Sequence, residues 1–73
     1  MNTFTLRPGQ EHIDLCDLMK LADLTATGGE AKHLIADGLV KVDGEVETRK
    51  RCKIRKGQVV EYKGKQIQIV ENK

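Results

Sequence analysis

Glu30-Ala31-Lys32-His33-Leu34-Ile35-Ala36-Asp37-Gly38-Leu39-Val40-Lys41-Val42-Asp43-Gly44 contains a helix, its stop and the first half of a β-hairpin. Ala31, Leu34 and Ile35 recur at helical spacing and form a buried stripe. Just upstream, Thr27 and Glu30 have the spacing of a capping box, in which the threonine hydroxyl accepts from the N–H three residues on. Gly38 stops the helix, because glycine takes the left-handed conformation without a Cβ clash, and Leu39 then folds back on Leu34 in a Schellman ending. Beyond Gly38 the period changes from helical to alternating. Val40 and Val42 point inward, Asp43-Gly44 supplies a tight type I′ turn, and Val46 resumes on the return strand.

Working outward, Leu15, Leu18, Met19 and Ala22 fall at helical spacing within residues 14–24. Asp14 or Asp17 favours the N-terminus of this first helix, and Leu21 and Leu24 widen its apolar face. The two helices, each of about three turns, are joined only by residues 24–27, so they pack as neighbours at a steep angle. Residues 3–6 read as a short strand ended by Arg7-Pro8-Gly9. Lys56-Gly57-Gln58 and Lys63-Gly64-Lys65 are turns, and strands at 59–62 and 66–70 flank the second of them, the last alternating through Ile67 and Ile69. The pattern is α+β, with no internal repeat, linker or low-complexity segment.

At 73 residues the chain reads as one domain, 1–73, near the lower limit for stabilisation by a single hydrophobic core. It has no room for a second lobe or a deep enzyme cleft. The apolar fraction of 38% is periodic, which points to a folded domain with a thin core and not to disorder. No apolar run nears the ~20 residues of a membrane span, and the N-terminus lacks the basic-then-apolar pattern of a secretory signal, so a cytoplasmic location is expected. Cys16 and Cys52 lack CxxC spacing and read as small buried hydrophobes. Cations around Cys52 would depress its thiol pKa if it proved exposed.

Charge is segregated along the chain. Residues 1–48 carry four Lys/Arg against nine Asp/Glu, whereas residues 49–73 carry nine against two, a contrast hidden by the net +2. Six of the eight residues 49–56 are basic: Arg49, Lys50, Arg51, Lys53, Arg55 and Lys56. If this run is extended, Cys52 and Ile54 face one way while Arg49, Arg51, Lys53 and Arg55 line the other face about 7 Å apart. Edge strands carry lysine to block pairing, but six cations exceed that need, and their repulsion favours an anionic partner such as nucleic acid. Phe4 and Tyr62 are the only rings, too few for a base-stacking sheet, so recognition rests on phosphate charge and shape.

Thr27-Gly28-Gly29 opens the second helix with backbone N–H groups able to receive a phosphate, and Lys32 and His33 follow one turn on. A plain turn using glycine for backbone freedom fits the same residues equally well. No Lys-Ser/Thr follows in P-loop register. His12 and His33 lack Cys or acidic partners at ligand spacing, so no metal is expected. No nucleophile with a base and no paired-carboxylate site stands out, and the chain reads as non-catalytic, without cofactor or small-molecule substrate.

Over residues 15–60 the order of signals resembles the S4 RNA-binding domain family, which has Glu-Ala-x-x-Leu-Ile-x-x-Gly-x-Val-x-Val-Asn-Gly where this chain has residues 30–44. Because the match occupies most of the chain, it is similar to the small stand-alone, ribosome-associated bacterial members. The resemblance implies a two-helix αL-type motif packed on a small, mostly antiparallel β-sheet, with RNA along the helix pair and adjoining loop. It places Thr27 at the family's small hydroxyl position, Lys32 and His33 at positions often basic, and residues 49–55 at the basic stretch after the hairpin. Two departures stand out: Gly28-Gly29 replace an arginine common after the hydroxyl residue, and Leu15-Cys16 replaces the usual Leu-Asp opening of the first helix. The first shifts phosphate contact onto backbone N–H groups and the basic run.

The expectation is therefore a monomer that binds structured RNA, such as ribosomal RNA or an assembling ribosomal subunit. Its contacts would be Thr27, Gly28, Gly29, Lys32, His33, Arg49, Lys50, Arg51, Lys53, Arg55 and Lys56. The rival is a protein-interaction or adaptor module docking on an acidic protein surface, against which the sparse aromatics count.

Overall fold

The computed structural model describes residues 2–71; Lys73, counted above in the basic segment, lies outside them. Nine elements follow in order: β1 Asn2–Leu6, β2 Ile13–Asp14, α1 Leu15–Leu21, α2 Gly28–Ala36, β3 Val40–Val42, β4 Glu45–Val46, β5 Lys53–Ile54, β6 Val59–Tyr62 and β7 Lys65–Glu71. Five strands form one sheet in the order β1-β7-β6-β3-β4, antiparallel except for the parallel β1–β7 pair. The mostly antiparallel sheet and two-helix motif are those expected of an α+β S4-type fold.

Alternation decides which sheet face is buried. Val42, Val60 and Ile67 lie side by side across β3, β6 and β7, and all three are buried. Leu15, Leu18 and Met19 of α1 and Ala31 and Ile35 of α2 complete the same apolar cluster. Burying such a side chain removes about 1.5–3 kcal/mol of unfavourable apolar exposure. Two type I′ turns connect the antiparallel strands, with both central residues at positive φ: Asp43 (53°) and Gly44 (85°), then Lys63 (52°) and Gly64 (78°). Asp43 also clamps its hairpin to β6, its carboxylate accepting from the Val59 N–H at 3.0 Å and from the Gln58 amide at 3.2 Å.

The second helix starts and stops as its sequence requires. Thr27 Oγ1 accepts from the Glu30 N–H at 3.1 Å. At the other end the Leu39 N–H reaches the Leu34 carbonyl and the Gly38 N–H the Ile35 carbonyl, the Schellman pair, with Gly38 at φ 78°. The first helix is shorter than its apolar pattern predicts. Asp23 adopts φ 60°, and the Leu24 and Asp23 N–H groups return to the Met19 and Lys20 carbonyls, so the same motif closes α1 without glycine. Aspartate tolerates this conformation better than most residues, which is why no glycine marks the stop.

The basic run does not form the extended strand that alternation suggested. Residues 49–52 make a turn closed by the Cys52 N–H on the Arg49 carbonyl at 3.1 Å, and only Lys53–Ile54 is strand. Its partner is β2, with Ile13 opposite Ile54 and Asp14 opposite Lys53, a ladder that the sequence reading omitted. Ile54 is buried as alternation required, but Cys52 is only partly so.

Candidate nucleic-acid interface

The basic turn is fastened to the N-terminus of α1. The first N–H groups of that helix have no partner inside it, and here Leu15 donates to the Cys52 carbonyl at 2.9 Å and Cys16 to the Lys50 carbonyl at 3.2 Å. Backbone of the turn thus caps the helix while its cationic side chains remain exposed. A second fastening comes from Glu47, whose own N–H donates to the Val40 carbonyl at 3.0 Å. Its carboxylate accepts from the Arg49 backbone N–H (3.0 Å), Nε (3.0 Å) and Nη2 (2.9 Å).

These contacts bring together residues remote in sequence. Arg51 shares a shallow depression of about 290 Å³ with Gly28, Gly29 and Lys32, bordered by Asp14 and Asp17. Arg51 also lines an adjoining depression with Arg49, Cys52 and Lys53. Among the described residues, neither Arg51, Lys32 nor Lys53 forms an ion pair. The α2 N-terminus, with its positive dipole end, therefore shares one depression with two cations outside any ion pair, Arg51 and Lys32, and Arg51 links it to the depression that holds Lys53.

Other predicted contacts lie elsewhere. Arg55 and Lys56 line a separate depression with Glu11 and Glu71, and Lys56 Nζ is 2.8 Å from Glu71. Arg55 thus does not share a row with Arg49, Arg51 and Lys53, because the chain turns again at 55–58, where the Gln58 N–H meets the Arg55 carbonyl. Lys50 is exposed on the basic turn, His33 is exposed in the last turn of α2, and Thr27 is occupied as the helix cap.

The two glycines at the α2 N-terminus are not required by the fold. Neither has positive φ, a Cβ on Gly28 would meet nothing within 4 Å, and one on Gly29 would meet only Thr27 Oγ1 at 3.9 Å. Glycine in a helix is unfavourable by up to about 1 kcal/mol relative to alanine. A residue that is locally unfavourable, and that neither conformation nor packing demands, is the arrangement that lets an external group approach the backbone.

Ionisation follows the same contacts. Hydrogen bonds from the Arg49 side chain and backbone hold the Glu47 carboxyl well below its usual range, at about 2. Glu47 in turn raises the Arg49 guanidinium, and Glu71 raises the Lys56 ammonium. The Cys52 thiol is pushed up, first by burial and then by Glu47, with Arg49 Nη2 at 3.7 Å from Sγ. The condition of exposure set on a depressed thiol pKa is not met, and the direction is the reverse: partial burial and a carboxylate neighbour outweigh the arginine. Sequence reading missed Glu47 as the buttress of the turn. Its spacing of two from Arg49 was the available signal, since such residues share a face in extended chain.

Comparison with known proteins gives the frame for this geometry. The family model of the S4 domain matches residues 5–70. YbcJ of Escherichia coli strain K12 is 53% identical over 70 residues, covering 96% of this chain and 99% of that protein, and YbcJ of Shigella flexneri matches to the same extent. The solution structure of E. coli YbcJ, with an αL motif involved in RNA binding, superposes with a TM-score of 0.73 over 96% of this chain and 87% of that one. The 30S ribosomal protein S4e of Thermoplasma acidophilum superposes with a TM-score of 0.59 at 30% identity, over 78% of this chain and 30% of that longer one. On the family match, on identity over nearly the whole length and on the shared architecture, the chain belongs to the S4 domain family.

Proposed function

We propose that this chain is a non-catalytic RNA-binding protein that holds structured RNA by its phosphates where Arg51, Lys53 and Lys32 meet the N-terminus of α2. The observation that carries the reading is the pair of glycines, conformationally unnecessary, in one depression with Arg51 and Lys32, two cations without ion-pair partners, while Lys53 lines the adjoining depression. The RNA-binding αL motif of YbcJ and the superposition on a 30S ribosomal protein favour ribosomal RNA or an assembling ribosomal subunit as the target. The protein acts as a monomer in the cytoplasm.

Salt dependence of binding to a ribosomal RNA hairpin, followed by fluorescence anisotropy, tests the mechanism. If about four phosphates are neutralised, log K falls against log[salt] with a slope of roughly −3 to −4. A slope near zero rejects phosphate contact as the basis of binding.

A further inference from the structure

The far side of α1 carries a second surface that the basic interface does not use. A crevice of about 500 Å³ runs between β1 and α1, lined by Phe4, Leu21, Arg7, Lys20 and Asp17 among others. Leu21 is 59% exposed, the most exposed of the large apolar residues described, although it closes a helix whose other leucines are buried. Arg7 and Lys20 are exposed and, among the described residues, form no ion pair, so Asp17 is the one carboxylate lining the crevice. Asp17 also borders the depression that holds Arg51, Lys32, Gly28 and Gly29. The crevice and the basic interface therefore adjoin across one residue of α1.

We infer that this crevice is a subsite for a single unpaired nucleotide, contiguous with the phosphate-binding surface and occupied by RNA leaving it; the inference rests on the reading given under Proposed function. Phe4 and Leu21 in its lining, with Arg7 and Lys20 beside them, match a planar base joined to a phosphate. Unpaired bases are the part of an RNA that proteins hold on aromatic and apolar side chains, and one ring suffices for one base. The volume is that of a small-molecule site. Arg7 and Lys20 favour an anionic group at the rim, and the depression that holds Arg51 lies beside the crevice across Asp17, so a nucleotide of RNA bound there is nearer than an acidic peptide.

Two RNA hairpins test this, one blunt-ended and one carrying a four-nucleotide unpaired tail. The wild-type chain binds the tailed hairpin about tenfold more tightly, as stacking of one base provides. The double variant Lys20→Gln/Leu21→Ala, altered only at exposed positions, loses that gain while its affinity for the blunt hairpin stays within about twofold of wild type. Equal affinity of the wild type for both hairpins, or a gain retained by the variant, overturns the subsite. Titration with uridine monophosphate, read by amide chemical shifts, separates this inference from the broader reading. Shifts at Phe4, Lys20 and Leu21 sustain the crevice even where neither hairpin binds, and silence at those amides overturns it.

Discussion

The upstream part of the basic run, residues 49–53, and the downstream part, residues 54–56, are both mostly cationic in sequence and have different surroundings in the fold. Arg51 and Lys53 lie on depressions shared with Lys32, Gly28, Gly29 and Arg49, and neither pairs with a carboxylate. Arg55 and Lys56 face Glu11 and Glu71, and Lys56 is held at 2.8 Å by the latter. The chain turns on both sides of the two-residue β5, so adjacent cations leave in different directions. The upstream depression also has carboxylates on its border, Asp14 and Asp17, but they form no ion pair with Arg51, Lys32 or Lys53, and cations left unpaired release more counterions on binding than cations already neutralised.

Charge reversal in each part gives the largest expected difference. Arg51→Glu/Lys53→Glu is expected to weaken binding to structured RNA roughly 100-fold near 0.1 M salt and to flatten the salt slope by about two units. Arg55→Glu/Lys56→Glu is expected to weaken it less than about threefold, because these cations line a separate depression with Glu11 and Glu71 and release few counterions. Anisotropy titrations over a range of salt measure both. Equal losses would mean that the two parts act as one surface despite their separation.

The glycines sharpen the comparison at the upstream site. Gly28→Ala/Gly29→Ala meets no steric obstacle, and alanine is the better helix former, so stability is expected to hold or rise by up to about 1 kcal/mol. RNA affinity is expected to fall several-fold, about 1 kcal/mol, because methyl groups now cover the N–H donors that receive a phosphate. Urea unfolding and RNA titration of the same variant check the opposite signs. Unchanged affinity would reduce the glycines to a plain turn.

Sequence made legible those parts of the fold in which a local rule governs a local structure. The capping box of Thr27 and Glu30, the Schellman stop at Gly38, the Asp43-Gly44 turn and the alternation of Val40, Val42, Ile67 and Ile69 each depend on a few neighbouring residues, and each is present. What escaped depends on partners far along the chain. The β2–β5 ladder pairs Ile13 with Ile54, two residues each, too short for periodicity to reveal. The division of the basic run likewise follows from carbonyls of Lys50 and Cys52 reaching back to α1, a docking that no count of charges contains. The α1 stop at Asp23 was hidden for a different reason: a residue other than glycine took the left-handed position.

Arg49 lies between the two cases, for it borders the upstream depression yet is paired to Glu47, and Glu47→Gln tests which of the two governs it. Removing the carboxylate frees the guanidinium and one unit of charge, so RNA affinity is expected to rise about threefold and the salt slope to steepen by just under one unit. A fall in affinity would mean that Glu47 presents Arg49 to the ligand in place of competing for it. Stability changes little, because an ion pair this close to solvent is screened. Its pH dependence has a definite sign: the Glu47 carboxyl is lowered from 4.5 to about 2 in the folded chain, so its contribution is complete above pH 4.5 and lost as pH falls toward about 2. Wild type and Glu47→Gln should therefore differ in urea midpoint at pH 7 and converge near pH 2, and a gap that persists in acid would show that the glutamate stabilises the turn by something other than its charge.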